Sequence, residues 1–284
     1  MTSRGFALLA TLWTLTAITV LAGVAVTAAQ LGATATRNRI LLARAGWARE
    51  ACVQIFLARY GATGNLRDLD RVDLGRGTWC NASLEDPSAK LNLNLASGPA
   101  LGTVIKAVEP PGAPIDSLVD AILDWRDTDR VVRPFGDEPS GARNGAFADV
   151  AELRYVRGFG DAVVTRLSTF LTTRGTGAIN VNAAPPEVLA TVPGLGSEAV
   201  QLLLLRRATA SITNADGLAG LLSSVSRATL LASYSEFVQA SAFKPPQLIA
   251  YVRGGVRGTP IAVRVTLTLV PAQSRLAVIR RETE

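Results

Sequence analysis

The sequence predicts an α+β protein with a long N-terminal helix, an antiparallel sheet, and a large all-helical segment inserted into that sheet. Three observations support this prediction. Residues 6–36 contain no charged side chain. Apolar and polar residues alternate near position 90 and again after position 247, as they do in strands with one buried face. Between these regions, over residues 96–235, short helical periods are interrupted by glycine and proline.

The composition limits both the fold class and the chemistry. A chain of 284 residues, 48% of them hydrophobic and 18% charged, can fold into one large or two ordinary domains. It contains no histidine, which excludes Ser-His-Asp triads, Cys-His pairs and histidine-containing zinc or haem sites. Two cysteines, Cys52 and Cys80, are too few for a thiolate metal site but could form one disulfide. The net charge of +6 comes mainly from arginine and indicates no partner by itself.

The charge-free segment has the length of a membrane span. Its most apolar part, residues 6–26, would extend about 31 Å as a helix, close to the thickness of a bilayer core. Three interpretations are open. A secretory signal peptide cleaved near residues 33–35 would have a shorter apolar run. A plain membrane anchor does not explain why Gly5 directly precedes Phe6. A class III leader explains both residues, because it is cleaved after Gly5 and leaves Phe6 as the new N-terminus.

The arginines around this segment give conflicting predictions of orientation. Only Arg4 precedes the span, and four arginines follow it closely: Arg37, Arg39, Arg44 and Arg49. A positive-inside count would place the C-terminal body in the cytoplasm. A class III leader would instead keep Arg4 inside and translocate the body.

The helix is predicted to continue past the membrane and to lie on a sheet. Residues 40–60 form an amphipathic pattern whose apolar face comprises Leu41, Ala45, Ala48, Cys52, Ile55 and Phe56. Alternation predicts strands over residues 89–94 at the front and over 247–252, 260–270 and 275–280 at the back. Turns at residues 253–255 and 271–274 would join the last three strands as an antiparallel meander.

The segment between the strands is predicted to be helical and internally repetitive. Helices are expected over residues 115–127, 148–156, 162–171, 186–192 and 198–207. The pattern of residues 153–160 recurs 36 positions later at 189–196, in each case ending in Gly-x-Gly between two helical patterns. The Leu-Asn-Leu-Asn of residues 91–94 recurs 88 positions later as the Ile-Asn-Val-Asn of residues 179–182, and each copy precedes a helical pattern.

The two Gly-x-Gly repeats are typical of helix-hairpin-helix units. Such hairpins bind DNA non-specifically when their backbone amides approach a phosphate and nearby basic residues supply charge. Here Asp161 follows the first hairpin and Glu198 the second, where they would repel a phosphate. The alternative is that the glycines only close tight turns between packed helices.

An acidic cluster lies at and after the helix predicted over 115–127. It comprises Asp116, Asp120, Asp124, Asp127, Asp129, Asp137 and Glu138. Oxygen ligands alone suit a hard cation such as calcium. Alternatively, the first aspartates favour the helix N-terminus and the later ones pair with Arg126, Arg130 or Arg133. With no histidine or positioned lysine beside the cluster, we expect no catalysis there.

Several motifs together resemble the K-type minor pseudopilin of type II secretion. They are the leader of residues 4–9 (RGFALL), the Leu-Asn-Leu-Asn run, the helix of residues 118–125 followed by Asp127 and Asp129, the RNGAF of residues 143–147, and the INVNAAPPEVL of residues 179–189. The resemblance extends over nearly the whole chain, and the leader combined with the last motif is highly specific.

The resemblance implies a pilin-like α/β domain bearing an inserted helical domain at the tip of a periplasmic pseudopilus. It implies a leader over residues 1–5, a transmembrane helix over 6–36, a pilin-like domain formed by 37–95 and 236–284, and the insertion over 96–235. The expected partners are the I-type, J-type and H-type pseudopilins, a prepilin peptidase, the membrane and the secretion machinery. No nucleic acid and no enzymatic activity are expected, and the chain would cross the bacterial inner membrane once.

The resemblance also implies particular residues. A prepilin peptidase would cleave after Gly5 and methylate Phe6, and the fifth mature position, usually glutamate in pseudopilins, is Ala10. No cofactor is required, but calcium is suggested, with Asp127, Asp129, Asp137 and Glu138 as ligands. A periplasmic body would permit a disulfide between the two cysteines. The alternative function is a membrane-anchored helix-hairpin-helix DNA receptor, because competence proteins carry similar motifs.

Overall fold

The computed structural model describes residues 3–63, 67–137, 143–272 and 275–283. It forms two compact units. Unit 1 comprises Met1–Ser83, Tyr251–Thr266 and Glu282–Glu284, and unit 2 comprises Leu84–Ala250 and Leu267–Arg281. The domain division expected from the resemblance stays a prediction.

The regular elements follow one another along the chain as helix, hairpin, a mixed helical region and three final strands. In order they are α1 (Ser3–Thr63), β1 (Leu69–Gly75), β2 (Thr78–Glu85), β3 (Leu91–Asn92), α2 (Gly98–Val108), α3 (Ile115–Arg126), α4 (Asp161–Leu167), β4 (Leu171–Thr172), β5 (Ile179–Asn180), α5 (Pro186–Leu189), α6 (Ser197–Arg207), α7 (Ala215–Ala219), α8 (Ser224–Ala232), α9 (Tyr234–Ala240), β6 (Ser241–Ala242), β7 (Leu248–Val256), β8 (Ala262–Ala272) and β9 (Arg275–Thr283). Short 3₁₀ helices span Pro87–Ala89 and Val150–Tyr155.

Helix α1 is long because nothing in its sequence stops it. The chain has no proline before position 87, and long stretches of alanine and leucine favour the helix. Its C-terminal part buries one face, formed by Ala45, Ala48, Cys52, Val53 and Phe56, each at most 3% exposed. The amphipathic pattern predicted for residues 40–60 is therefore confirmed.

Five strands form a sheet in the order β1-β2-β7-β8-β9. Strands β1 and β2 form an antiparallel hairpin closed by Arg76 and Gly77, both with positive φ, as a tight hairpin turn requires. The strand predicted over residues 89–94 is present as the short β3, but β3 pairs with β4 outside this sheet, and β1 and β2 form its front instead. Register shifts between Leu69 and Val72 and between Asp73 and Gly75 break the two-residue period of β1, which conceals it in the sequence.

The three C-terminal strands are confirmed, and their connections show them to be antiparallel. Only the two residues 273–274 separate β8 from β9, and a parallel crossover would need many more. The turn predicted at residues 253–255 is wrong, because Gly254 and Gly255 lie inside β7. A Cβ at Gly254 would collide with the backbone nitrogen of Arg49, and one at Gly255 with the ring of Trp79. These glycines therefore permit close packing and make no turn.

Unit 2 is mainly helical, but the prediction of an all-helical segment is wrong in one respect. Strand β3 pairs in parallel with β4, and β5 pairs in parallel with β6. These two-residue strands are buried except for β6, and their pairing satisfies backbone groups that would otherwise lack partners.

Most predicted helices are present, and four others were not predicted. The helix expected over residues 148–156 is the 3₁₀ helix Val150–Tyr155, whereas α2, α7, α8 and α9 had no clear signal. In α2, Gly98 and Gly102 weaken the helical period, but they lie close to Val119 of α3. Small residues thus allow α2 and α3 to pack closely. The unit's core includes the fully buried residues Leu101, Ile105, Ile122, Leu153, Leu189, Leu203 and Leu218.

Candidate functional site

The N-terminal part of α1 presents an apolar surface that no other described residue covers. From Phe6 to Val26 every large apolar side chain is more than half exposed, including Phe6 at 80% and Trp13 at 71%. By length and composition α1 can cross a membrane, and among the described residues it is the one helix that can. Exposure on this scale is costly in water and is relieved by lipid. The chain thus has a single-pass membrane anchor followed by a body.

The threonines of α1 do not interrupt this anchor. Their hydroxyls donate to backbone carbonyls one turn earlier, as Thr19 does to Leu15 at 2.8 Å and Thr34 to Gln30 at 2.8 Å. A hydroxyl satisfied in this way adds little cost in an apolar phase. Gly5 and Phe6 lie in the first turns of α1, and Ala10 is exposed on the same helix. Cleavage at Gly5 and methylation of Phe6 stay predictions.

The two cysteines are bonded to each other. Cys52 on α1 and Cys80 on β2 are fully buried, and their Cα atoms are 5.8 Å apart. The disulfide therefore covalently links the helix to the hairpin of the sheet. Because it closes a loop of 28 residues, it restricts the unfolded chain and stabilises unit 1.

Of the predicted calcium ligands, the three that the structure describes do not converge on one point. Asp127 Oδ2 accepts from Arg133 Nη2 at 3.1 Å, and Asp129 Oδ1 accepts from the Val131 N–H at 2.9 Å. Asp137 Oδ1 lies 3.7 Å from Arg157 Nη1, and Glu138 lies outside the described residues. Within the described ranges no three acidic or cysteine side chains are grouped to hold a metal ion. The described residues thus do not fit the calcium site that the resemblance implies.

The carboxylates of α3 have a different role, which is to anchor the loop of residues 127–137, called here the acidic loop. Asp124 is 1% exposed, and its two oxygens accept the Arg133 N–H at 3.3 and 3.2 Å. Asp120 Oδ2 accepts the Phe135 N–H at 3.2 Å. Burial raises the pKa of Asp124, and the Arg133 N–H and charge oppose that rise. Asp120 and Asp124, four residues apart, lie on the same face of α3, and both contact the loop.

The glycines of the two hairpins serve packing. Gly158 and Gly194 adopt positive φ, where a side chain would be strained. A Cβ on Gly158 would collide with Leu118, and one on Gly194 would lie 3.1 Å from the Cα of Leu230. Glu198, beside the second hairpin, accepts hydrogen bonds from the hydroxyls of Ser223 and Ser226. These contacts favour the interpretation of the glycines as interhelical turns over phosphate binding.

Unit 2 repeats one hydrogen-bond arrangement in two segments, called here the first half (residues 91–172) and the second half (residues 179–242). In the first half, Asn94 exchanges two hydrogen bonds with the backbone of Phe147, at 2.9 and 2.8 Å. In the second, Asn182 exchanges two with the backbone of Ile212, both at 2.8 Å. The 88-residue echo seen in the sequence thus corresponds to equivalent contacts.

An arginine at the end of a helix completes each half. Arg126, which ends α3, donates to the carbonyls of Leu93 and Ala96 at 2.5 and 2.6 Å. Arg207, which ends α6, donates to the carbonyls of Val181 and Ala184 at 3.4 and 2.6 Å. The acceptors are 88 positions apart in both cases. Sequence reasoning missed this role, because the acceptors are backbone carbonyls of distant residues.

Burial lowers the pKa of Arg126, assisted by the charge of Arg133, and burial also lowers the pKa of Arg207. Their hydrogen bonds to backbone carbonyls hold both guanidinium groups within unit 2. Arg206, the neighbour of Arg207, is exposed. Of these two arginines, only Arg206 is presented to a nucleic acid, which weakens the DNA-receptor alternative.

One part of the chain matches a known protein family. Residues 65–175 match the family model of the type II secretion system (T2SS) protein K. The chain therefore contains a type II secretion system protein K domain. No curated protein matches the sequence significantly. The resemblance to the K-type minor pseudopilin is confirmed by this domain.

The fold of this chain resembles a solved structure. A chain in the crystal structure of the GspK-GspI-GspJ complex from the type 2 secretion system of enterotoxigenic Escherichia coli superposes with a TM-score of 0.62. The match covers 88% of this chain and 99% of that one, at 17% identity. At this identity the likeness establishes the fold, an α+β arrangement with a long N-terminal helix and an antiparallel sheet.

The part of the chain matched by the family model contains the β1–β2 hairpin, the first half and the acidic loop. The second half follows this part in the sequence. The chain is a minor pseudopilin component of type II secretion.

Proposed function

We propose that this protein caps the tip of the type II secretion pseudopilus and supports export of folded proteins from the periplasm across the outer membrane. The observation that carries the proposal is the match of residues 65–175 to protein K in a chain whose α1 has an exposed apolar N-terminal part. The role is structural, and no reaction is assigned to the protein.

A residue in the membrane helix supports the proposal that this subunit lies at the end of the filament. The fifth residue after Gly5 is Ala10, where most pseudopilins carry a glutamate that is thought to pair with a neighbouring subunit. A carboxylate left without its partner in an apolar helix bundle would cost several kcal/mol or become protonated. A subunit with no neighbour above it has no use for that carboxylate, and alanine avoids the cost.

The proposed partners are the I-type and J-type minor pseudopilins, followed by the H type. Support comes from the structural likeness to a chain of the GspK-GspI-GspJ complex. A prepilin peptidase would process the leader at Gly5 and methylate Phe6. The soluble body would lie in the periplasm, with α1 in the inner membrane. The buried disulfide between Cys52 and Cys80 is consistent with that oxidising compartment.

The experiment that tests this function replaces Gly5 with aspartate in a strain that depends on this protein for secretion. We expect Gly5→Asp to leave an uncleaved precursor in the inner membrane and to abolish export, measured as secreted enzyme in the medium and as precursor size on a gel. Ser3→Asp, which adds the same charge inside the leader, is the control and should be processed. Normal secretion by Gly5→Asp would contradict the proposal.

A further inference from the structure

The acidic loop is fastened to α3 through one side chain, that of Arg133. Its Nε lies 3.3 Å from Asp124 Oδ1, and its Nη2 lies 3.1 Å from Asp127 Oδ2. The guanidinium therefore bridges the buried carboxylate of α3 and the first carboxylate of the loop. The backbone N–H of the same residue also donates to Asp124.

Other contacts fix the loop around this bridge. The Ser117 hydroxyl donates to the Phe135 carbonyl at 2.9 Å, and the Phe135 N–H donates to Asp120. Gly136 passes so close to Asp124 that a Cβ there would collide with Oδ2. Asp124 is thus enclosed by the loop, and the positive charge closest to it is that of Arg133.

This arrangement differs from a calcium site in its chemistry. Calcium takes six to eight oxygen ligands, roughly, which must all face one point. Here both oxygens of Asp124 already accept the backbone N–H of Arg133, and its guanidinium lies between Asp124 and Asp127. A divalent cation between the same two carboxylates would meet the positive charge of Arg133 at short range.

We propose that Arg133 supplies the positive charge that holds the acidic loop on α3, so that the loop keeps its conformation without calcium. A single arginine thereby lies beside Asp127, one of the residues that the family resemblance implies as calcium ligands. The loop of this protein is consequently insensitive to the calcium concentration around it. Its exposed apolar side chains, Val131, Val132 and Phe135, are held in place under all such conditions.

The test is amide hydrogen exchange, followed by mass spectrometry, on the full-length protein in detergent. Peptides covering residues 128–137 report on the loop, since several of its N–H groups donate to carboxylates. Arg133→Gln should accelerate exchange in these peptides about tenfold or more by opening the loop. Arg130→Gln removes the same charge from an exposed arginine of the same loop and should leave exchange unchanged.

The metal is tested directly on the wild-type protein. After dialysis against EDTA, and again after adding millimolar calcium chloride, exchange in the loop should stay the same. Faster exchange after EDTA that calcium reverses would overturn the proposal, and so would equal exchange in Arg133→Gln and Arg130→Gln. If Arg133→Gln does not fold, Arg133→Lys takes its place. The lysine keeps the charge but cannot bridge both carboxylates, so an intermediate acceleration is expected.

Discussion

The two halves of unit 2 share a buried framework and differ in what is added to it. In both, an asparagine exchanges hydrogen bonds with a distant backbone segment, and a helix-terminal arginine donates to two carbonyls. In the second half only residues 208–211 separate Arg207 from Ile212. In the first half residues 127–146 separate Arg126 from Phe147, and they include the acidic loop. The framework is thus repeated, whereas the loop is an addition that needs its own anchors.

The largest expected effect concerns the two framework arginines. Arg126→Gln should destabilise the protein by about 3 kcal/mol and Arg207→Gln by about 2 kcal/mol, because each leaves buried carbonyls without their donors. Arg126 has the shorter bonds, so the larger loss is expected in the first half. The midpoint of urea unfolding of the full-length protein in detergent measures both effects.

The controls are the neighbouring exposed arginines. Arg206→Gln and Arg130→Gln remove the same charge and should change stability by less than about 0.5 kcal/mol. If Arg207→Gln proves as harmless as Arg206→Gln, the equivalence of the two halves fails. A loss confined to Arg126→Gln would show that only the first half depends on this contact.

The hairpin glycines give the next largest effect. Gly194→Ala should cost about 2 kcal/mol, since alanine would be strained at φ +80 and would press on the backbone of Leu230. Gly196→Ala should change little, because its φ is −72 and no atom lies within 4 Å of the added Cβ. Thermal unfolding compares the two variants. Equal unfolding midpoints for the two variants would contradict a packing role for the hairpin glycines. They would favour the interpretation in which the hairpin's backbone amides bind a phosphate.

The smallest effect is a pH dependence confined to the first half. Burial raises the pKa of Asp124 above the ordinary value of 3.8. The carboxyl group of Asp124 therefore binds a proton more tightly in the folded protein than in the unfolded chain. The stability due to the protonated group is fully present below pH 3.8 and is lost as the pH rises through the raised pKa. The unfolding midpoint of Asp124→Asn should therefore fall less than that of the wild type over this window. An identical pH profile for the two proteins would contradict the shift.

The sequence predicted those features that depend on local patterns. The long apolar helix, the amphipathic face around Cys52, the C-terminal strands and the internal echo at Asn94 and Asn182 all follow from periodicity or repetition. The β1–β2 hairpin was missed because irregular pairing breaks the alternation of β1. Gly254 and Gly255 were taken for a turn because sequence does not reveal that α1 and Trp79 approach them.

The contacts of the acidic cluster were also only partly predictable from the sequence. Its carboxylates were found, together with the alternative that arginines pair with them, but which arginine pairs with which carboxylate depends on the path of the loop. Arg133 is nine residues from Asp124 in sequence and reaches it only after the chain turns back on α3. The contacts of Arg126 and Arg207 with backbone carbonyls are still less visible, since every residue has a carbonyl.

The most direct test of the central claim, that this chain is a minor pseudopilin, is the identity of its first residue in the membrane. Full-length protein would be produced in a host with its own prepilin peptidase, purified from membranes, and its N-terminal peptide would be sequenced and weighed. The account predicts a chain that begins at Phe6 with a methylated amine. A chain that begins near Thr36, or one that retains Met1, would contradict processing as a pseudopilin.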